Sequence, residues 1–195
     1  MAAIIAIASA LMLFVGDAIY IRATVKGNAY PMKSTWLIWI IVIGLNVFSF
    51  LQTKFDLVSG LYGIVDFLLC AVIFAIVLVK SKQKFYFKKF EKYYLLLAMS
   101  CVIFWIASSN SFLTNIIAQI LILIGYIPTI HGMIASKKSE ESAISWLIWV
   151  FGSGLAIIPA FMNDNMLAII YSIRGSIMCL IIFLLTLKYG INKRK

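Results

Sequence analysis

Long apolar runs alternate with short polar connections along the whole chain. Seven runs stand out, at residues 3–21, 35–51, 58–79, 93–109, 112–130, 143–161 and 166–187. Each is close to the roughly 17–25 apolar residues with which a helix crosses the hydrocarbon core of a bilayer. Polar clusters punctuate the connections. Ser108-Ser109-Asn110-Ser111 separates the fourth and fifth runs, and Asn163-Asp164-Asn165 the sixth and seventh. The pattern predicts an all-α membrane protein of seven transmembrane helices.

The runs are related to one another. Trp36-Leu37-Ile38-Trp39 recurs as Trp146-Leu147-Ile148-Trp149, each time near the start of a run. Gly44-Leu45 and Gly154-Leu155 keep the same offset of 110 residues, and Tyr62, Cys70 and Phe74 match Tyr171, Cys179 and Phe183 at 109. Two copies of one three-helix unit with a single slipped residue explain this register. Internal repeats of hydrophobic segments are a signature of many membrane carriers. The units are 1–79 and 111–195, joined by a basic loop and a linker helix in 80–110. One intervening helix gives both copies the same direction across the membrane. The repeat is then parallel, about an axis along the membrane normal: two three-helix bundles and a linker, 3+1+3.

Composition sharpens the compartment. Hydrophobic residues make up 64% of the chain and charged residues 12%, about half the usual charged share. A net charge of +10 raises nucleic-acid binding, but the distribution argues against it, since no contiguous soluble domain carries a basic face. Fifteen of the seventeen Lys and Arg residues fall on one side of the predicted membrane. They are Arg22, Lys26 and Lys33, six lysines between 80 and 92, Lys137 and Lys138, and Lys188 with the tail 193–195. Lys54 alone is on the other side, and Arg174 lies inside the seventh run. Positive-inside bias then puts the N-terminus outside and the C-terminus in the cytoplasm. The start, Met-Ala-Ala-Ile-Ile, lacks a basic n-region and reads as a retained helix. Phe85, Tyr86, Phe87 and Phe90 among the lysines of 80–92 would suit a segment lying on anionic lipid, although topology-setting charge explains the loop first. Cys70, Cys101 and Cys179 have no metal-like spacing and read as packing residues.

Seven helices in three-one-three order, a parallel repeat and an outside N-terminus resemble the SWEET sugar transporters and the wider PQ-loop membrane proteins. Gly125-Tyr126-Ile127-Pro128-Thr129-Ile130 is similar to the PQ-loop region that ends the first helix of a repeat. Lys33-Ser34-Thr35-Trp36 is similar to the basic-Ser/Thr pattern that opens the second. Thr129 stands where the family has glutamine, and the first copy has Asp17-Ala18-Ile19 in place of the proline motif. The resemblance implies a carrier of a small polar solute (sugar, amino acid or vitamin-like) in a bacterial plasma (inner) membrane. It also implies alternating access around a central site, with a polar residue from the third helix of each repeat and a helix-2-type tryptophan beside the substrate. The PnuC vitamin transporters share a seven-helix core, but their expected orientation is opposite to the one the lysines give here.

Ionisable groups at mid-membrane cost at least about 2.5–3.5 kcal/mol each, so each needs an explanation. Asp66 and Arg174 sit eight residues into the third helix of their copies, about 12 Å deep at about 1.5 Å per residue. Repeat symmetry brings them to a shared centre within ion-pairing reach, as a substrate site or as a structural pair. Trp39 and Trp149 lie a turn deeper than Trp36 and Trp146. They could stack on a substrate or pack helices, whereas Trp36 and Trp146 fit the interfacial aromatic belt. Asn46 and Gln119 are mid-span amides able to bond a solute or a neighbouring helix. Asp17 reads as an interfacial partner of Arg22, with proton coupling as the sharper alternative, and His131 as an interfacial hydrogen-bonder. Pro128 and Pro159 interrupt the backbone ladder and mark hinges or static kinks.

The sequence holds no nucleophile–base set, phosphate loop, His/Cys cluster or carboxylate pair. No catalysis, cofactor or metal is therefore expected. The expected substrate-binding set is Asp66, Arg174, Asn46, Trp39, Trp149 and Gln119, with Pro128 and Pro159 as hinges. The expected partners are a small-molecule substrate and the lipid bilayer, not nucleic acid, and a homo-oligomer stays open. The rival is a non-transporting receptor of the same fold, packed solid where a carrier keeps a polar pocket.

Overall fold

The computed structural model describes residues 1–27, 33–53, 56–80, 85, 87, 89–139 and 141–190. Pro31, Lys54, Tyr86, the tail 193–195 and the basic residues Lys82, Lys84 and Lys88 lie outside them, so the interfacial reading of 80–92 falls largely there. Eight helices follow in order: α1 (Ala2–Val25), α2 (Lys33–Thr53), α3 (Leu57–Lys80), α4 (Lys89–Ser108), α5 (Ser111–Gly125), α6 (Ile127–Ser136), α7 (Ala143–Met162) and α8 (Met166–Gly190). No strand is present among the described residues. Together α5 and α6 make one span, so among the described residues seven helical segments are long and apolar enough to cross a membrane. That span breaks where Pro128, in the first turn of α6, has no N–H to continue the ladder. The Tyr126 N–H instead donates to the Leu123 carbonyl at 3.3 Å, and the Ile130 N–H to the Tyr126 carbonyl at 3.1 Å.

Several helices outrun their apolar runs at the end that carries the lysines. α1 continues to Val25 and α8 to Gly190, while α4 begins at Lys89 rather than near 93. Lysine and arginine stems can extend a helix past the hydrocarbon while the charge reaches water, so hydropathy alone undercounts these ends.

Buried positions on α1 repeat every three or four residues: Ala6, Ser9, Ala10, Leu13, Gly16, Asp17 and Tyr20. This stripe of mainly small residues packs on α7, where Trp149, Gly152, Ser153, Ala156 and Ala160 are buried. Small residues let backbones approach closely where lipid offers no hydrophobic drive for helix association. A Cβ at Gly16 would sit 2.6 Å from the Trp149 indole, so glycine there makes room for that ring. The outward faces are apolar, with Leu11, Phe14, Leu96, Ile103 and Leu184 exposed, as contact with lipid requires.

The neighbours form a regular pattern. α3 packs on α1 and α2, and α8 packs on α7, α5 and α6. Across the middle, α1 meets α7 and α2 meets α5, while α4 lies against α5 and α2.

The end opposite the lysines is sealed. Phe50, Ala160, Leu167 and Ala168 form an apolar cluster there. Beside it, Asp56 ties the α2–α3 turn to the α7–α8 turn. Its Oδ1 accepts from the Val58 and Ser59 backbone N–H groups, both at 3.1 Å, which caps α3. Its carboxylate also accepts from Asn163 Nδ2 at 3.2 and 3.3 Å and from Asn165 Nδ2 at 3.4 Å. Partial burial pushes the Asp56 carboxyl up, but hydrogen bonds from the Ser59 side chain and backbone, Asn165 and Asn163 outweigh it. They hold the group below its ordinary value of 3.8.

Candidate functional site

A cavity of about 560 Å³ runs from the lysine-bearing end to mid-depth, within the roughly 300–1,000 Å³ typical of small-molecule sites. Its mouth is lined by residues near the starts of α2, α4 and α7 and by α6; its inner part is lined by α3 and α8. Among the described residues, none of its lining comes from the α2–α3, α4–α5 or α7–α8 turns, which lie at the sealed end.

Aromatic rings from both copies of the repeat girdle this cavity. Trp39 meets Tyr126 edge-on with centroids 4.9 Å apart, and Tyr126 meets Trp146 at 6.4 Å. Trp146 meets Trp149 at 4.7 Å, Trp149 meets Tyr20 at 5.6 Å, and Tyr20 meets Trp36 at 5.6 Å. Trp36 and Trp39, about one turn apart on α2, both line the cavity. The duplicated Trp-Leu-Ile-Trp motif thus supplies four rings of one structure. Trp36 and Trp146, expected in an interfacial belt, line the cavity instead. The Trp146 indole N–H donates to Glu141 Oε2 at 3.1 Å, so its polar edge is satisfied inside the protein.

Asp66 and Arg174 line the same cavity at its inner part, as do Tyr62 and Tyr171. The expected direct ion pair between them is not formed. Tyr171 touches both: its hydroxyl donates to Asp66 Oδ2, and the Arg174 guanidinium carbon lies 4.7 Å from its ring centroid. Arg174 Nε donates to Gln119 Oε1 at 2.9 Å. At the offset of 109 that matches Tyr62 to Tyr171, Asp66 falls on Gly175, one position from Arg174, and one residue turns a helical side chain by about 100° at about 3.6 residues per turn.

Two expected site residues lie elsewhere. Asn46 and Gln119 border a separate void of about 20 Å³ rather than the main cavity, room for about one water molecule. There the Asn46 carbonyl accepts from Asn115 Nδ2 at 2.7 Å, and Gln119 Nε2 donates to Asn115 Oδ1 at 3.5 Å. Gln119 therefore positions Arg174 instead of facing the cavity, and Asn46 belongs to the α2–α5 contact. Pro128 lines the cavity wall. Pro159 is buried within α7, and its carbonyl accepts from the Asn163 N–H at 3.1 Å, beside the sealed end.

Asp17 also departs from expectation. It forms no ion pair with Arg22 among the described residues, is 4% exposed, and lines the cavity one turn from Tyr20. The Trp149 indole N–H lies close by without normal hydrogen-bond geometry and has no other partner. Sequence reading also missed Tyr20, Tyr62, Tyr126 and Tyr171. The matched pair Tyr62 and Tyr171 carried a signal, since both recur at the repeat offset one turn from Asp66 and Arg174.

No family model, curated protein or solved structure matches the chain. Its function is therefore argued from its own residues.

Proposed function

We propose that this protein is a carrier that moves a small polar solute by alternating access. The observation that carries this reading is the one-ended cavity: it reaches Asp66 and Arg174 at mid-depth and is closed beyond them. A receptor of this fold needs no such chamber, whereas a carrier caught in one of its end states has one. The neighbour pattern supports a 3+1+3 arrangement. α3 joins α1 to α2 as α8 joins α5–α6 to α7, and the first helix of each triplet meets the second helix of the other. A two-fold axis along the membrane normal relates such triplets, with α4 as the linker. Rocking of the two bundles around the central site would then close the lysine-bearing end and open the other. The lysine distribution makes the open end cytoplasmic, so the structure corresponds to an inward-facing state in a plasma membrane. The resemblance to SWEET and PQ-loop proteins agrees with this reading.

The test is solute exchange in proteoliposomes. A panel of labelled sugars, amino acids, vitamins and organic cations is offered to vesicles preloaded with the same unlabelled compound. At least one solute should show saturable counterflow above protein-free vesicles. Binding of a panel member without exchange of any would favour the receptor.

A further inference from the structure

We propose that the cavity selects an organic ammonium ion, held by its charge at Asp17 and enclosed by the aromatic girdle. This rests on the cavity above being the solute site. Three observations converge on it.

The first is an odd carboxylate. Asp17 is nine-tenths buried, faces the cavity, and has no hydrogen bond of normal geometry or ion pair among the described residues. Asp66 and Arg174 balance each other's charge through Tyr171, which leaves Asp17 in excess at this depth. A buried carboxylate without a cation is costly, so a ligand that brings one positive charge is favoured there.

The second is the girdle. Tyr20, one turn along α1 from Asp17, is in ring contact with both Trp36 and Trp149. Trp36, Tyr20 and Trp149 line the same cavity as Asp17, and aromatic rings that share a cavity with a carboxylate attract alkylated ammonium groups by cation–π interaction.

The third is what the site lacks. No group of three or more His, Cys, Asp or Glu that could hold a metal ion exists among the described residues. Hard inorganic cations take many oxygen ligands, and these walls are mainly aromatic and aliphatic. Such walls suit a cation whose charge is spread over carbon-bearing substituents.

The experiment uses the full chain in lipid nanodiscs and measures binding calorimetrically, so it does not depend on transport. Choline is compared with 3,3-dimethylbutan-1-ol, the same shape with carbon in place of the charged nitrogen. Choline should bind saturably and at least about tenfold more tightly than the alcohol, as a desolvated cation–π and carboxylate contact implies. Asp17→Asn should weaken choline binding about tenfold or more, while Asp17→Glu keeps most of it. Tyr20→Leu should weaken it and Tyr20→Phe should not. Each variant is first checked for a monodisperse, helical protein, and if Asp17→Asn does not fold, the Tyr20 pair decides. Equal affinity for choline and the alcohol, no saturable choline binding, undiminished binding by folded Asp17→Asn, or equal binding by both Tyr20 variants would each overturn the proposal. Choline binding without counterflow of any solute in the panel would leave the ammonium site standing and remove the carrier.

Discussion

Arg174→Met should lower the unfolding temperature by about 4–8 °C and abolish solute exchange. Arg174 is the positive charge at the inner part of the cavity, where Asp66 and Asp17 both face in. Removing one partner of a directly paired, fully buried set costs about 3–5 kcal/mol. Here the link to Asp66 passes through Tyr171 and the cavity has a mouth, so about 2 kcal/mol is expected, which corresponds to that shift for a chain of this size. Gln119 Oε1 also loses its donor. Adding Asp66→Asn to Arg174→Met should recover most of the stability, because coupled sites are non-additive. Exchange should stay absent in the double variant if these groups line the route. A stable double variant that still exchanges solute would make them structural only. Thermal unfolding followed by tryptophan fluorescence, together with counterflow, decides between the two.

Asp56→Ala should destabilise the protein by about 2 kcal/mol at neutral pH, through loss of the α3 cap and of the bonds from the α7–α8 turn. The effect should depend on pH in a defined direction. The Asp56 carboxyl is held below 3.8 in the folded protein. Its ionic contribution is therefore fully present above the unfolded-state value and is lost as pH falls through the lower folded one. The difference in unfolding temperature between wild type and Asp56→Ala should be largest near neutral pH and shrink at about pH 3. A constant difference across that range would mean that the cap, not the charge, ties the two turns.

The seven spans were legible because bilayer thickness sets a length that apolar runs must meet. The break inside the fifth was legible only as Pro128. Trp39, Trp149, Asp66 and Arg174, which line the cavity, were legible as site candidates because the tryptophans recur in the duplicated motif and the ionisable pair lies inside apolar runs. Helix rotation was not legible where the chain is apolar on every side, since the hydrophobic pattern then marks no inward face. For that reason nothing singled out Tyr20, Tyr126 drew notice only within the Gly125–Ile130 segment, and Asp17 read as an interfacial group beside Arg22. Asn46 and Gln119 were misplaced for a related reason. An amide can bond a solute or a neighbouring helix equally well, and nothing in the sequence pointed to Asn115, which donates to the Asn46 backbone carbonyl and accepts from the Gln119 side chain.

Alternating access requires the sealed end to open, and a distance across it tests that directly. Leu57 at the start of α3 and Met166 at the start of α8 flank the Asp56 contacts and are exposed. Each can carry a spin label introduced through a single cysteine, in a background without Cys70, Cys101 and Cys179. In lipid nanodiscs, pulsed electron–electron resonance should give two populations, the shorter one dominant in wild type. Asp56→Ala should transfer weight to the longer. A single short distance, the same in wild type and in folded Asp56→Ala, would contradict a rocking carrier.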